Sequence, residues 1–510
     1  MLQLDLIIPI SELLDRQAEK SGGKVAYEDA ARGVTYGDLR RRTANLAGHL
    51  ADQGVQPGDC VAILLPSSVD WVESCFAIVR AGGIAVPINV EATESEILYR
   101  LTDARCRVVI TTAGLAPIVQ AIGASAQIEV LTVATGPIEQ AAASFDRWSD
   151  APSSMPPRDP SDIDAVAFVI YTSGTTGQPK GVQLSLRNML WVTAACWVPI
   201  LGLNDADRLL SPLPLYHSYA VNLTVLSVLA TGASIHLMEK YSTGQTVELL
   251  KSGNFTIFPA VPTIFHYLMD KAKAGPIAAP GLRACVSAGA IMAGTLNAEF
   301  EAHFGVPLLD GYGITETATM VTMNSAAGGR VMGSCGLPIL GQAVRLVDPN
   351  SLRDCAPGEE GELIVRGPNV MRGYLNKPEE TAKALRDGWY HSGDLARADA
   401  NGFLMITGRI KELIIRGGQN IAPAEIEEVA QMLDAVADCA AVGLPHAALG
   451  EVPGLFVIPR DSSFVAAEVI DHCRRHLSPY KVPHVVHVVS EIPRTGSGKI
   501  IRYKLRELVS

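Results

Sequence analysis

The sequence predicts an α/β protein, a large N-terminal domain of parallel αβα sheets carrying a β subdomain, followed by a small α+β domain. Three observations carry that expectation. Apolar runs alternate with helical patterns through the first half. The texture changes to short strands and glycine-rich turns at about residues 341–408. The pattern then resets near Gly408-Arg409-Ile410-Lys411. A chain of 510 residues is also too long for one hydrophobic core, so more than one domain is expected.

The elements follow in order. Asp59 to Leu65 is strand-like, Val72 to Arg80 is helix-like and stops at Gly82-Gly83, and Ile84 to Ile88 is strand-like again. That rhythm belongs to βαβ units with parallel strands. Ala165 to Tyr171 is a continuous apolar run that reads as a buried strand. Gly361 to Gly367 typifies the β subdomain. Behind the boundary come a strand at Leu413–Ile415, a turn at Gly417-Gly418 and a helix with Pro423 in its first turn. Ile426, Val429, Ala430 and Leu433 form one apolar stripe on that helix. Strands near Cys439–Gly443 and Gly454–Ile458 and a helix near Ala466–His476 complete a small α+β unit. The expected division is 1–408 and 409–510.

Composition excludes several classes. A net charge of −11 argues against broad nucleic-acid binding. The nine cysteines show no C-x-x-C pair and the histidines no H-E-x-x-H, which suits a reduced, cytoplasmic setting. The first residues lack a basic stretch followed by a long apolar one, so no signal peptide is expected. The weakly polar stretch from Met189 to Leu203 contains Pro199 and falls short of the roughly 20 residues a membrane span needs.

The most informative segment is Thr172-Ser173-Gly174-Thr175-Thr176-Gly177-Gln178-Pro179-Lys180-Gly181, directly after the buried strand. Glycines let backbone approach an anion, and free N–H groups and hydroxyls donate to its oxygens, so the loop is suited to a polyphosphate. It is not a P-loop: Lys180 follows a proline instead of a glycine. Gly496-Ser497-Gly498-Lys499 fails too, with Ile500 after the lysine and Pro493 where the first glycine belongs.

Four more segments follow in order: Asp310-Gly311-Tyr312-Gly313-Ile314-Thr315-Glu316-Thr317, Trp389 to Asp394, Gly408 to Glu412, and Pro493 to Lys499. Together with the loop they resemble the class I adenylate-forming superfamily, which includes acyl- and aryl-CoA synthetases, amino-acid adenylation domains and beetle luciferases. Val34 to Leu39 and Arg80 to Pro87 extend the likeness over nearly the whole chain.

The resemblance implies ATP, Mg²⁺ and coenzyme A as cofactors, and a small domain that turns about Lys411 between two poses. It assigns Lys499 as the catalytic lysine, a flexible ammonium that bridges a carboxylate and the α-phosphate. Glu316, with Thr172 as a second oxygen ligand, is expected to hold Mg²⁺. Ser173, Gly174, Thr175, Thr176, Gly177 and Lys180 are assigned to the phosphates. Tyr312 offers a flat face to adenine, Asp310 an acceptor to its amino group, and Asp394 an acceptor to the ribose. Arg409 reaches the same ribose or a phosphate, and Ile406 covers the other adenine face or is plain core. Gly311, Gly313 and Thr315 belong to the same nucleotide motif. Gly289 and Ala290 lie in a small-residue turn, Ser287 to Ile291, that lacks the proline common in the family.

For the acid, Leu213 to Asn222 is similar to the pocket entrance of acyl- and aryl-CoA ligases, and the spacing of His217, Tyr219 and Asn222 resembles plant-type 4-coumarate ligases. His217 is expected beside the reacting carboxylate, with Tyr219, Asn222, Val261 and Gly313 in the pocket. No acidic residue falls between Tyr216 and Leu229, so a free α-amino acid is disfavoured, because its ammonium would be buried unpaired. Arg416, Gly417 and Gly418 are assigned to the thiol tunnel. The expected activity is acid–CoA ligation through an acyl adenylate, on an aryl or small-to-medium aliphatic acid. A stand-alone adenylating enzyme that loads a carrier-protein pantetheine is the alternative, and a nucleotide-sensing protein without turnover is a third.

Overall fold

Buried apolar strands and helices with one apolar face assemble into four sheets in this computed structural model. It describes residues 1–136, 143–172, 178–417, 419–462, 464–494 and 500–509. The helix Val69–Arg80 shows how local sequence sets an element. Ser68 caps it, its hydroxyl accepting from the Trp71 amide, and the chain leaves it through Gly82 at φ 81°.

Two large sheets form the N-terminal body. One has eight strands in the order Gly373–Tyr374, Lys180–Ser185, Val166–Thr172, Ile84–Pro87, Cys60–Leu64, Val108–Thr112, Leu131–Thr135 and Ala143–Ser144. The other has nine, and at its centre run the parallel strands Arg208–Ser211, Ile257–Ala260, Ala284–Ser287 and Leu308–Tyr312. Between the sheets lies a core that includes Tyr27, Trp71, Phe76, Phe168 and Trp197, all fully buried. Burying each such side chain contributes about 2–3 kcal/mol.

The sheets are not wholly parallel. Val166–Thr172 pairs antiparallel with Lys180–Ser185, Thr172 opposite Lys180, and these two strands flank the glycine- and threonine-rich segment in the chain. Gly373–Tyr374 adds a further antiparallel strand from far along the chain. A short run of two residues can hold that edge because Val182 and Gln183 supply its ladder partners.

The β subdomain is a five-stranded antiparallel sheet, Ala343–Val347, Glu360–Arg366, Trp389–Ala398 and Leu385–Arg386, with Leu404–Arg409 paired to Trp389–Ala398. A single 3₁₀ turn, Ile410–Glu412, leads out of it. The last sheet then begins at Ile414 and packs against helices Pro423–Gln431 and Ala466–His476. Its long hairpin, Val436–His446 with Gly450–Pro459, outruns the apolar stretches that mark it in sequence. Arg494 and Ile500 bridge antiparallel, which closes the base of the segment that bears Lys499.

Candidate active site

Three groups of side chains meet along the ends of these sheets. The first surrounds Glu316. This residue sits on the 3₁₀ turn Thr315–Thr317, which leaves strand Leu308–Tyr312 through Gly313. A Cβ on Gly313 would stand 1.4 Å from the Thr319 carbonyl oxygen, so only glycine fits there. The turn is closed by two consecutive non-glycine residues at positive φ, Ala318 at 52° and Thr319 at 104°. Such backbone costs of order 1–3 kcal/mol per residue and persists only where its surroundings impose it. Here buried amides impose it: Asn369 Nδ2 donates to the Thr317 and Met320 carbonyls, and Asn222 Nδ2 to that of Ala318.

The Tyr374 hydroxyl donates to Glu316 at 2.9 Å, and Lys180 Nζ lies 4.8 Å from the centre of the Tyr374 ring. Glu316 and Lys180, the residues expected at metal and phosphate, therefore touch the same tyrosine, one at its hydroxyl and the other at its ring. Thr172 stands opposite Lys180 at the hairpin base, partly buried. Ser173, Gly174, Thr175, Thr176 and Gly177 lie outside the described residues, as do Gly418 and Lys499.

The second group is Tyr312, Asp394 and Arg409. The Tyr312 hydroxyl donates to Asp394 Oδ2, and Arg409 Nε pairs with Asp394 Oδ1 at 2.7 Å. Burial and the neighbouring Asp394 carboxylate push the Tyr312 hydroxyl well above its usual range. Both Asp394 oxygens are held, one by Tyr312 and one by Arg409, so the carboxylate is fixed in place while buried to 2% exposure. Ile406 and Tyr312 pack at the rim of one small apolar cluster around Val321 and Leu363.

Asp310 lies beside this group and is nearly fully buried. Burial drives its carboxyl well above the ordinary carboxylate range, with Ser287 offsetting part of the shift. Its Oδ1 has no hydrogen-bond partner of good geometry among the described residues. A buried acceptor left in this state costs about 1–3 kcal/mol. An exocyclic amino donor such as that of adenine is what the atom lacks, and in this respect the residues fit the nucleotide.

The third group lines a narrow, largely enclosed cavity: His217, Ser218, Tyr219, Ala288, Gly289, Gly313, Ile314, Thr315 and Thr319. His217 begins a short helix, Ser218–Ala220, that passes into a π-helical turn, Val221–Leu226. Tyr219 is buried, its hydroxyl donating to the Val286 carbonyl. Val261 is not among the lining residues but packs behind Gly289, whose added Cβ would meet Val261 Cγ1 at 3.6 Å. Ala290, next to it, is exposed.

Asn222 is a correction. It does not line the cavity. It is fully buried, accepts from Trp197 Nε1 at 2.7 Å and donates to Met189 and Ala318 carbonyls. The π-helical turn rotates it into the core, where it supports the Glu316 turn from behind. Arg416, assigned to the thiol tunnel, lies on the strand Ile414–Arg416. Its guanidinium donates to the Pro479 and Tyr480 carbonyls, while Gly417 makes the adjacent tight turn at φ 57°. Lys411 is exposed on the 3₁₀ turn.

The model of the AMP-binding enzyme family matches residues 14–375, and that of the AMP-binding enzyme C-terminal domain matches 425–499. The chain belongs to the AMP-binding enzyme family. Among relatives, the chain is 34% identical over 493 residues to a feruloyl-CoA synthase of an Amycolatopsis species, covering 96% of this chain and 97% of that protein. Among solved structures, it is similar to ATP-bound MatB from Rhodopseudomonas palustris, with a TM-score of 0.89, 30% identity and 98% of each chain covered. It is also similar to a benzoate CoA ligase from Burkholderia xenovorans LB400, with a TM-score of 0.88, 28% identity, and 98% of this chain and 99% of that one covered.

Residues that the motifs did not single out also meet at this site. Tyr374, Asn369 and Thr319 all bear on the Glu316 turn. Tyr374 and Asn369 reach it from distant sequence, and no local spacing marks them. No described helix is long and apolar enough to cross a membrane.

Proposed function

We propose that this member of the AMP-binding enzyme family is an ATP-dependent acid–CoA ligase. It joins a carboxylic acid to AMP with release of pyrophosphate, then transfers the acyl group to coenzyme A and frees AMP. The acid is aryl or small-to-medium aliphatic, and the enzyme works in the cytoplasm.

One observation carries the reading. Gly313 and Thr315 line the cavity beside His217, and the very next residue, Glu316, shares Tyr374 with Lys180. The acid pocket and the phosphate side thus share one turn, so a carboxylate in the pocket is held against the α-phosphate. Bringing two anions into near-attack geometry is most of the task in this chemistry.

The residues divide the work. Asp394, fixed by Tyr312 and Arg409, accepts from the ribose hydroxyls, and Asp310 accepts from adenine. Lys180 and the hydroxyls of Ser173, Thr175 and Thr176 receive the β- and γ-phosphates. Glu316 and Thr172 hold Mg²⁺, a hard cation that needs few protein oxygens beside phosphate and water. The ion supplies charge neutralisation on the triphosphate. His217 orients the acid, and Lys499 spreads the charge that develops between carboxylate and phosphate. The exposed turn at Lys411 is the pivot on which the small domain, residues 409–510, changes pose for thioester formation.

The cavity lining carries hydroxyls and an imidazole but no carboxylate, which suits the carboxylate end of an acid placed beside His217. Among the nine residues that line it, none is acidic, which leaves an α-ammonium without a counter-charge. The test is a panel of benzoic, cinnamic and short aliphatic acids with ATP and Mg²⁺, with thioester product identified by mass spectrometry. CoA thioesters with aryl acids support the reading. Product only with a holo carrier protein would move the acceptor to that class, and no thioester with either acceptor would overturn the ligase assignment.

A further inference from the structure

Tyr374 does not belong to any motif assigned above, yet it touches two of the residues the proposed chemistry needs. Its hydroxyl donates to Glu316 Oε1 at 2.9 Å, and its ring carries Lys180 Nζ at 4.8 Å from the centroid. The residue is 9% exposed, so both contacts are made with little water to screen them.

The backbone around Tyr374 joins the same two parts. The Met371 amide donates to the Glu316 carbonyl at 2.8 Å. The Arg372 amide donates to Gln183 at 2.9 Å and the Leu375 amide to Gly181 at 2.8 Å. Tyr374 itself stands in register with Val182, and its amide receives the Thr381 hydroxyl oxygen as acceptor at 2.9 Å. Residues 371–375 thus clip the Glu316 turn to the strand that leads out of the phosphate loop. The two parts come from opposite large sheets, and neither sets the position of the other by itself.

We propose that Tyr374 is a positioning residue that holds Glu316 and Lys180 at a fixed spacing, so that the magnesium carboxylate and the phosphate lysine are in register before the nucleotide arrives. The inference rests on Glu316 being the magnesium residue. The hydroxyl acts on the metal side and the ring on the phosphate side. Without the hydroxyl, Glu316 is released to other rotamers, and its ordering is charged to metal binding. Without the ring, Lys180 loses the face that keeps its ammonium aimed along the hairpin.

The two roles separate by substitution. Tyr374→Phe keeps the ring and the packing, and Tyr374→Leu removes both. Binding of a non-hydrolysable α,β-methylene ATP analogue is measured by calorimetry across a Mg²⁺ series and in EDTA, alongside thermal unfolding of each variant. Tyr374→Phe is expected to raise the half-saturating Mg²⁺ by about three- to tenfold, the range for the net loss of one typical hydrogen bond, with EDTA affinity unchanged. Tyr374→Leu is expected to weaken binding in EDTA as well. Glu316→Gln is the reference. If it leaves the Mg²⁺ dependence unchanged, the reading of Glu316 fails and the inference with it. If Glu316→Gln shifts that dependence and Tyr374→Phe does not, the inference alone is overturned. An equal loss for Tyr374→Phe with and without Mg²⁺ also overturns it, since a merely structural tyrosine would weaken both.

Discussion

The Glu316 turn and the Lys411 turn are both single 3₁₀ turns, and they are built in opposite ways. The Glu316 turn is locked. Thr317 is fully buried, Ala318 and Thr319 are held at positive φ, and amides from Asn222 and Asn369 fix the Ala318 and Thr317 carbonyls. The Lys411 turn, Ile410–Glu412, buries nothing. It is bracketed by two ion pairs that belong to different sides. Arg409 pairs with Asp394 on the body, and Glu412 with Arg502 at 2.9 Å in the C-terminal part. An Arg460–Asp270 pair at 3.6 Å, with both side chains well exposed, reaches from the small domain to the body. Exposed pairs of this kind contribute about 0–1 kcal/mol. One turn therefore keeps a geometry, and the other leaves room to change one. An enzyme with two half-reactions needs both kinds.

The sharpest way to break that contrast is at the tail lysine. Lys499→Ala is expected to lower acyl-AMP formation by about 100-fold or more while leaving thioester formation from supplied acyl-AMP largely intact. Equal loss of both half-reactions would remove the division of labour. Next in size is Gly313→Ala. With a carbonyl oxygen 1.4 Å from the new Cβ, the locked turn must open. The loss is expected to be about 3 kcal/mol or more in unfolding free energy, or soluble protein without nucleotide affinity, read by denaturation and calorimetry. Unchanged stability and affinity would show that the turn is not locked.

Smaller, and on the other turn, Lys411→Pro restricts φ where the pivot must swing. Thioester formation is expected to fall about tenfold while pyrophosphate exchange changes less. Equal rates for the second step would count against the pivot. The mildest test is Asp310→Asn. Because burial raises the Asp310 carboxyl in the folded state, its protonated form is favoured there. Folding stability is then full below the ordinary carboxylate range and declines as pH rises toward the folded value. Asparagine carries no charge, so the variant's gain in melting temperature over the wild type should grow with pH across that window. A gain independent of pH would place the cost elsewhere.

Much of this was legible in the chain, for physical reasons that differ by region. The helix over Val69–Arg80 and the strand Ile84–Pro87 follow directly from apolar periodicity and glycine stops. The helix Pro423–Gln431 buries Ile426 and Ala430 of its predicted stripe. The hairpin strands Val436–His446 and Gly450–Pro459 run further than expected, since Pro445 and His446 find ladder partners although they interrupt the apolar pattern. The site was legible where contiguous motifs carry it, as at Asp310–Thr317. Asn222 was misplaced because a π-helical turn shifts side-chain direction in a way that spacing cannot register. Tyr374 was invisible because its role depends on pairing with Val182, far away in sequence.

The account stands or falls on the mixed anhydride. Purified protein incubated with ATP, Mg²⁺ and an aryl-acid panel, without coenzyme A, should yield an acid-dependent acyl adenylate detectable by mass spectrometry, with matching pyrophosphate release. If no acid in the panel produces an acyl adenylate while ATP still binds, the shared turn does not join an acid to a nucleotide, and the reading is wrong.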